Sequence, residues 1–269
     1  MIRLSIITVN KNNAPGLEKT IKSVLEQTYP HIEQVIIDGG SNDGSVDAIK
    51  SFTDILPDSY QSKSQNSPGI SYWISESDRG IYHGMNKGAA KAEGDYLLFL
   101  NAGDYLIDQH AVSNLMSHEP DADIVYTNQK RFGTKGERIT IFPDKLSLYW
   151  LFTEFLPHNC MLIKRDLFNR IGPYAEDYRI VSDWLFYLQA IAKNECTYKH
   201  YDMILSVMED GGISNSPQFT EDVKKERMDV LRREFPLCYG DYLDLYNYKY
   251  NSPLKKLKRT VKKLLPIKK

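Results

Sequence analysis

The sequence predicts an α/β fold, a mostly parallel central sheet flanked by helices with a C-terminal helical extension. Strand and helix patterns alternate three times in the first 100 residues, the signature of parallel strands joined by right-handed crossovers. Apolar runs also end abruptly in polar turns that carry a carboxylate. Val35-Ile36-Ile37 stops at Asp38-Gly39-Gly40, and DYLLFL stops at Asn101-Ala102-Gly103-Asp104. In an open α/β sheet, ligands sit in the crevice beyond the carboxyl ends of the strands, where both turns would lie.

The first strand is LSIITV, within Arg3 to Val9, and it ends at Asn10-Lys11-Asn12. Pro15 stands where a helix begins, and Leu17, Ile21, Val24 and Leu25 recur at helical spacing. Gln34 to Ile37 is the second strand. Its following glycines permit a positive φ and close ligand approach, and Ser41 or Asp43 can cap a helix over Asp43 to Phe52. Leu56 to Gly69, rich in Ser, Gln and Pro, reads as a surface loop. Tyr72-Trp73-Ile74 is the third strand, Ile81 to Ala92 a helix closed by Gly94, and Asp95 to Leu100 a buried strand. The second half is less regular. Short strands are expected at Asp123 to Thr127, Ile139 to Phe142 and Cys160 to Ile163, with a helix near Asp166 to Arg170. Ser182 to Lys193 is a helix with Trp184, Leu185, Leu188 and Ile191 on one face, and Phe219 to Phe235 a charged amphipathic helix before a tyrosine-rich stretch. Gly211-Gly212 reads as a tight turn or a closing loop.

Composition narrows the function classes. A hydrophobic content of 42% and a charged content of 26% in 269 residues are those of a soluble globular chain. No run approaches the roughly 18 apolar residues of a membrane span, and Met1 to Asn10 turns polar too soon for a secretory leader. Cys160, Cys196 and Cys238 show no metal spacing, which favours a reducing, cytoplasmic compartment. Eight of the 34 Lys and Arg lie in residues 254–269, which hold none of the 35 acids, so the rest carries 26 basic against 35 acidic residues. An acidic body argues against nucleic-acid binding. In the tail, Leu254, Leu257, Val261, Leu264 and Leu265 fall at helical spacing among lysines. Such a helix can lie on an anionic membrane surface; the plainer reading is a solubilising tail.

Three carboxylates stand out as chemistry-bearing: Asp38 and Asp104 at strand ends, and Asp183 at the start of a helix. Together they suit a site for a nucleotide, a divalent metal and a nucleophile, since Mg²⁺ or Mn²⁺ needs few protein carboxylates when substrate phosphates complete its shell. Helix capping is the plainer role for Asp104 and Asp183. His158 precedes a strand on the expected acceptor side, and Trp184 can stack on a sugar or fill the core.

The ordered segments LSIITVNKN, VIIDGGSNDGS, ISESDRGIYHGMNKGAAKAEGDYLLFLNAGD, IGPYAEDYRIVSDWLFYLQ and EDGGIS resemble the blocks of family 2 glycosyltransferases, and look closest to the bacterial O-antigen and capsular polysaccharide branch. The resemblance covers roughly residues 3–215 and implies a GT-A (Rossmann-like) fold. It implies units at 1–215 (nucleotide-binding half to about 104, acceptor-side half beyond), a helical extension at 216–253 and the tail at 254–269. Thr8 and Asn10 match positions lining the nucleoside pocket, and Asp38 matches an acid that contacts uracil and ribose. The second acid of that pair is Gly39 here. Asp78, Arg79 and Asn86 belong to a block along the diphosphate side. Asp104 matches the last carboxylate of a Mg²⁺ or Mn²⁺ motif whose earlier acids are Asn101 and Gly103 here, and Asp183 matches the catalytic base. His158 and Trp184 are weaker acceptor or sugar contacts. The implied reaction is inverting transfer from a nucleotide-sugar, a UDP-sugar by this resemblance, to a saccharide acceptor, lipid-linked, at the inner face of the cell membrane. The competing readings are a non-catalytic nucleotide-sugar-binding protein, favoured by the depleted metal motif, and a sugar-nucleotide nucleotidyltransferase. The latter would show a basic, glycine-rich loop where VNKNNAPG stands.

Overall fold

The computed structural model describes residues 1–54, 68–133, 136–209 and 220–248. The N-terminal half is the expected alternation: β1 (Leu4–Asn10), α1 (Ala14–Leu25), β2 (Ile32–Asp38), α2 (Ser45–Asp54), β3 (Gly69–Ser75), α3 (Ile81–Ala89) and β4 (Tyr96–Phe99). Most of the loop expected over Leu56–Gly69 lies outside the described residues, as do Gly211-Gly212 and the tail at 254–269. The start of α1 follows from its residues. Asn13 caps it by accepting from the Gly16 N–H, with proline in the first turn.

The second half contains β5 (Tyr105–Leu106), α4 (Ala111–Met116), β6 (Ile124–Gly133), β7 (Gly136–Thr140), α5 (Leu148–Thr153), β8 (Met161–Lys164), α6 (Arg165–Ile171), α7 (Ser182–Lys193), β9 (Tyr198–Glu209), α8 (Thr220–Glu234) and α9 (Tyr239–Tyr246). The nine strands among the described residues join one sheet in the order β3-β2-β1-β4-β8-β6-β9-β5, with β7 paired to β6. β3, β2, β1 and β4 are parallel; β8 runs antiparallel to β4 and β6, making the sheet mixed. β9, twelve residues long and parallel to β6, has no counterpart in the expected elements.

Alternating side chains bury both faces of the sheet. Ile7, Leu97 and Phe99 share one core with Met85 of α3 and Trp184 of α7, while Leu4, Ile6, Tyr96 and Leu98 face a second with α4. Val230 and Leu231 of α8, Phe235 just after it and Tyr242 of α9 belong to the first core, so the C-terminal helices pack against the sheet domain directly.

Register brings the polar strand ends together. Asn10 of β1 pairs with Asp38 of β2, and Asp38 with Ser75 of β3. The antiparallel entry of β8 sets the 3₁₀ turn His158–Cys160 beside the carboxyl end of β4. The pairing of Tyr105 with Val207 carries Glu209 towards Asp104.

The opposite edge is fixed by Glu33, whose Oε1 accepts from Ser5 Oγ, Glu93 N and Gly94 N at 2.5, 2.6 and 3.0 Å. A Cβ on Gly94 would stand 2.6 Å from Ser5 Oγ and 2.7 Å from Ser5 N. Gly94→Ala should therefore lower stability by about 1–3 kcal/mol, read from urea or thermal unfolding.

Candidate active site

A cleft of about 680 Å³ opens at the carboxyl ends of β1, β2 and β4. Of the residues singled out in the sequence, Asn10, Asp78, Asp104, His158 and Asp183 line it. Thr8, Asp38, Arg79, Asn86 and Trp184 do not.

Each of those five has a visible role elsewhere. Thr8 is buried and accepts from Gln34 Nε2 at 3.0 Å, between strands. Asp38 is buried and accepts from Asn10 Nδ2 (2.7 Å), Ser41 N (2.9 Å), Ser41 Oγ (2.5 Å) and Ser75 Oγ (2.6 Å). Burial alone would raise its carboxyl, but the bonds from Ser41, Ser75 and Asn10 outweigh it and hold the group below the usual carboxylate range. Arg79 is exposed and bound to Glu176 at 2.5 Å. Asn86 grips the Tyr174 backbone, donating to its carbonyl at 2.8 Å and accepting from its N–H at 2.9 Å. Trp184 is wholly buried and donates from Nε1 to the Leu151 carbonyl at 2.8 Å.

On the β1–β2 side, Lys11 Nζ donates to the carbonyls of Gly39 and Gly40 at 2.6 and 2.9 Å. A Cβ on Gly39 would stand 3.2 Å from Lys11 Cδ and 3.3 Å from Asp78 Oδ2. The lysine stem therefore lies where a side chain at position 39 would begin. Asp78 is itself held by Lys87 at 2.5 Å and His83 at 3.1 Å.

At the other end, Asp183 is buried in the first turn of α7. Its Oδ1 accepts from the Trp184 N–H and from Tyr82 OH, both at 2.9 Å. Its Oδ2 lies 3.3 Å from His158 Nδ1. His158 Nε2 is 2.9 Å from the Asn101 amide nitrogen. Burial would depress the imidazole, but the Asp183 hydrogen bond and the charges of Asp183 and Asp104 outweigh it, so His158 is raised above its ordinary value. An imidazolium needs an acceptor at Nε2. Asn101 Oδ1 is buried with no hydrogen-bond partner, and an amide flip would bring it there.

Asp104 is the least compensated acid. Burial pushes its carboxyl up to about 7, with Glu209's charge adding to the rise and His158, Arg131 and the Glu209 N–H opposing it. Thr20 of α1 fixes its turn, donating to the Asp104 carbonyl at 2.6 Å and accepting from the Gly103 N–H at 3.0 Å. A buried carboxylate short of positive charge fits a hard divalent cation. No group of three or more His, Cys, Asp or Glu gathers among the described residues. One carboxylate still suffices for Mg²⁺ or Mn²⁺ when diphosphate and water fill the shell.

Tyr82, Thr20 and Glu209 had no sequence signal. Tyr82 lies 101 residues from the Asp183 it touches, and on a helix it reads as an ordinary core position.

Comparison with known proteins gives the family. The model of Glycosyl transferase family 2 matches residues 5–172. The PGL/p-HBAD biosynthesis glycosyltransferase of Mycobacterium bovis BCG is 30% identical over 228 residues, 82% of each chain. The fold is similar to S. aureus TarS 1-349, with a TM-score of 0.63 at 15% identity, covering 99% of this chain and 76% of that one; the chain spans 40% of a longer TarS structure. It is similar too to the mannosyltransferase PcManGT of Pyrobaculum calidifontis in complex with GDP-Man and Mn²⁺, with a TM-score of 0.60 at 16% identity, covering 98% and 80%. With the α/β sheet, the cleft at its carboxyl edge and a family match over more than half its length, the chain belongs to glycosyltransferase family 2 and has the GT-A fold.

Proposed function

We propose that the protein is an inverting glycosyltransferase that moves a sugar from a UDP-sugar to a lipid-linked saccharide in surface polysaccharide assembly. The observation that carries this is Asp183, buried and fixed through Oδ1, in the lining of a cleft that also holds Asp104.

The acceptor hydroxyl attacks the anomeric carbon from the face opposite the leaving nucleoside diphosphate, and Asp183 Oδ2 takes its proton. No covalent enzyme intermediate forms. Tyr82 has one proton for two acceptors, Asp183 Oδ1 and the Ile180 carbonyl at 2.6 Å. It steadies the carboxylate before transfer and retains a partner afterwards. His158, its Nδ1 3.3 Å away, holds Oδ2 in place. Bound Mg²⁺ or Mn²⁺, held by Asp104, would stabilise the charge on the departing diphosphate.

The nucleoside lies along Asn10, Lys11, Gly39 and Asp78. Asp38 orients Asn10 from behind, Thr8 ties the two strands together, and Asn86 and Arg79 brace the loop at residues 174–176. Uridine is supported by a TarS 1-349 structure in complex with UDP-GlcNAc, with a TM-score of 0.62. A glycolipid acceptor is supported by the PGL/p-HBAD relative, and docking at the inner membrane face by the basic tail. No helix among the described residues is long and apolar enough to cross a membrane.

Asp183→Asn should reduce transfer by about 10³-fold or more. UDP with Mn²⁺ should still raise the melting temperature of both wild type and variant. An unchanged rate would remove Asp183 as base, and stabilisation by GDP in place of UDP would change the donor. A non-catalytic protein would bind nucleotide and transfer nothing under any condition.

The Asp104 carboxyl gives a second test. Its folded-state pKa lies above its unfolded value, so the folded state binds the proton more tightly and loses stability as pH rises from about 4 to about 7. Without metal or nucleotide, Asp104→Asn should therefore gain on wild type between pH 5 and pH 8. The gain should be on the order of 2 kcal/mol, measured by urea unfolding at each pH.

A further inference from the structure

We propose that Glu226, on the C-terminal helix α8, is a positioning residue for Asp183. This rests on the reading of Asp183 as the base; both residues lie beyond the family match, which ends at residue 172.

Helix α7 begins without a side-chain cap at Val181. The backbone N–H groups of the residues that lead into the helix, up to its cap at Val181, need partners from outside its ladder, and they lie immediately before Asp183. The Glu226 carboxylate, half-buried on another helix, takes three in succession. Oε1 accepts from Arg179 N at 2.9 Å, and Oε2 from Ile180 N at 2.9 Å and Val181 N at 3.2 Å. A carboxylate accepting three N–H bonds at a helix N-terminus combines charge-assisted hydrogen bonds with the favourable end of the helix dipole.

The segment so held carries the site. Arg179, Ile180 and Asp183 line the cleft, and the Ile180 carbonyl receives the Tyr82 hydroxyl that also donates to Asp183. Glu226 thus fixes the backbone from outside while Tyr82 fixes both that backbone and the carboxylate from inside. The same helix grips the segment on either side. Asp229 accepts from Tyr178 OH at 3.0 Å, and Arg227 lies 4.8 Å over the Trp184 ring while donating to the Glu154 carbonyl at 2.7 Å. Release of Glu226 would free residues 179–181, and Asp183 Oδ2 would drift from the position where His158 meets it. General-base catalysis loses rate steeply with such misplacement.

The test reads the Asp183–His158 contact directly and needs no substrate. In the full chain, the His158 ring is titrated by NMR in wild type, Glu226→Ala, Glu226→Gln and Val230→Ala. Val230 is a buried core residue of α8 that does not bond to residues 179–181, so its truncation loosens the helix without unpairing the segment. Melting temperatures report each variant's loss of stability. Glu226→Ala should lower the His158 titration midpoint by about half a unit or more. Glu226→Gln, which keeps one acceptor oxygen, should fall between it and wild type, and Val230→Ala should leave the midpoint in place despite its loss of stability. An unmoved midpoint in both Glu226 variants, or an equal movement in Val230→Ala, would overturn the proposal. If Glu226→Ala does not fold, the near-isosteric Glu226→Gln carries the comparison. The base assignment is judged separately by transfer in Asp183→Asn, so either idea can fail alone.

Discussion

Burying carboxylates along the carboxyl edge of the sheet is the constraint around which the rest of this molecule is arranged. Asp38, Asp104 and Asp183 are each nine-tenths or more buried, and an ionised carboxylate removed from water is tolerated only where hydrogen bonds or opposite charge replace its hydration. The three solutions differ. Asp38 collects four hydrogen bonds from three side chains and one backbone N–H, and becomes a rigid anchor for the turn after β2. Asp183 is bonded fully at one oxygen and shares the other with a histidine raised towards its charged form. Asp104 is left short.

These solutions explain the division of labour around the cleft. The saturated acid, Asp38, presents nothing to a ligand and instead orients Asn10, which lines the cleft. The half-saturated acid, Asp183, has one oxygen fixed and one oriented, as the proposed base requires. The undersupplied acid, Asp104, is where added positive charge gains most, since in a low-dielectric site each opposite charge acts strongly. A gradient in hydrogen-bond saturation thus separates the supporting acid from the proposed base and the proposed cation ligand among chemically identical side chains.

What was legible in the sequence follows the range of the forces involved. The βα alternation through β4 could be read because periodicity and turn chemistry are local. β9 could not: Tyr198 to Asp202 mixes Lys, His and Asp with aromatics, and its place between β6 and β5 is set by pairings with residues far away in the chain. Helices α4 and α5, six residues each, are too short to show a period. At the cleft, Asp104, His158 and Asp183 could be singled out from a strand end and block order, and they do line it. Asp38 was equally legible at its strand end but is turned to Asn10, Ser41 and Ser75, because orientation is not legible. Thr8, Arg79, Asn86 and Trp184 sit in the expected elements yet turn towards a strand, Glu176, Tyr174 and the core. Tyr82 and Glu226 reach the neighbourhood of Asp183 from other helices, where nothing in the sequence around Asp183 announces them.

Lys11 shows how a departure from a family pattern can be absorbed. With an acid at position 39, its side chain would enter the space beside Lys11 Cδ and Asp78 Oδ2, close to a carboxylate already held by Lys87 and His83. Glycine avoids that like-charge contact and leaves two carbonyls to receive the lysine ammonium. This edge of the cleft therefore carries a cationic donor where the family pattern carries an anionic acceptor. In the proposed complex, a base would meet Lys11 through a carbonyl oxygen. Uracil and guanine both offer one beside a ring N–H, and cytosine offers one beside a ring acceptor. A carbonyl oxygen is common to all three, so a lysine donor at this edge does not by itself distinguish them, and the exchange at position 39 removes an acceptor that a ring N–H could have met.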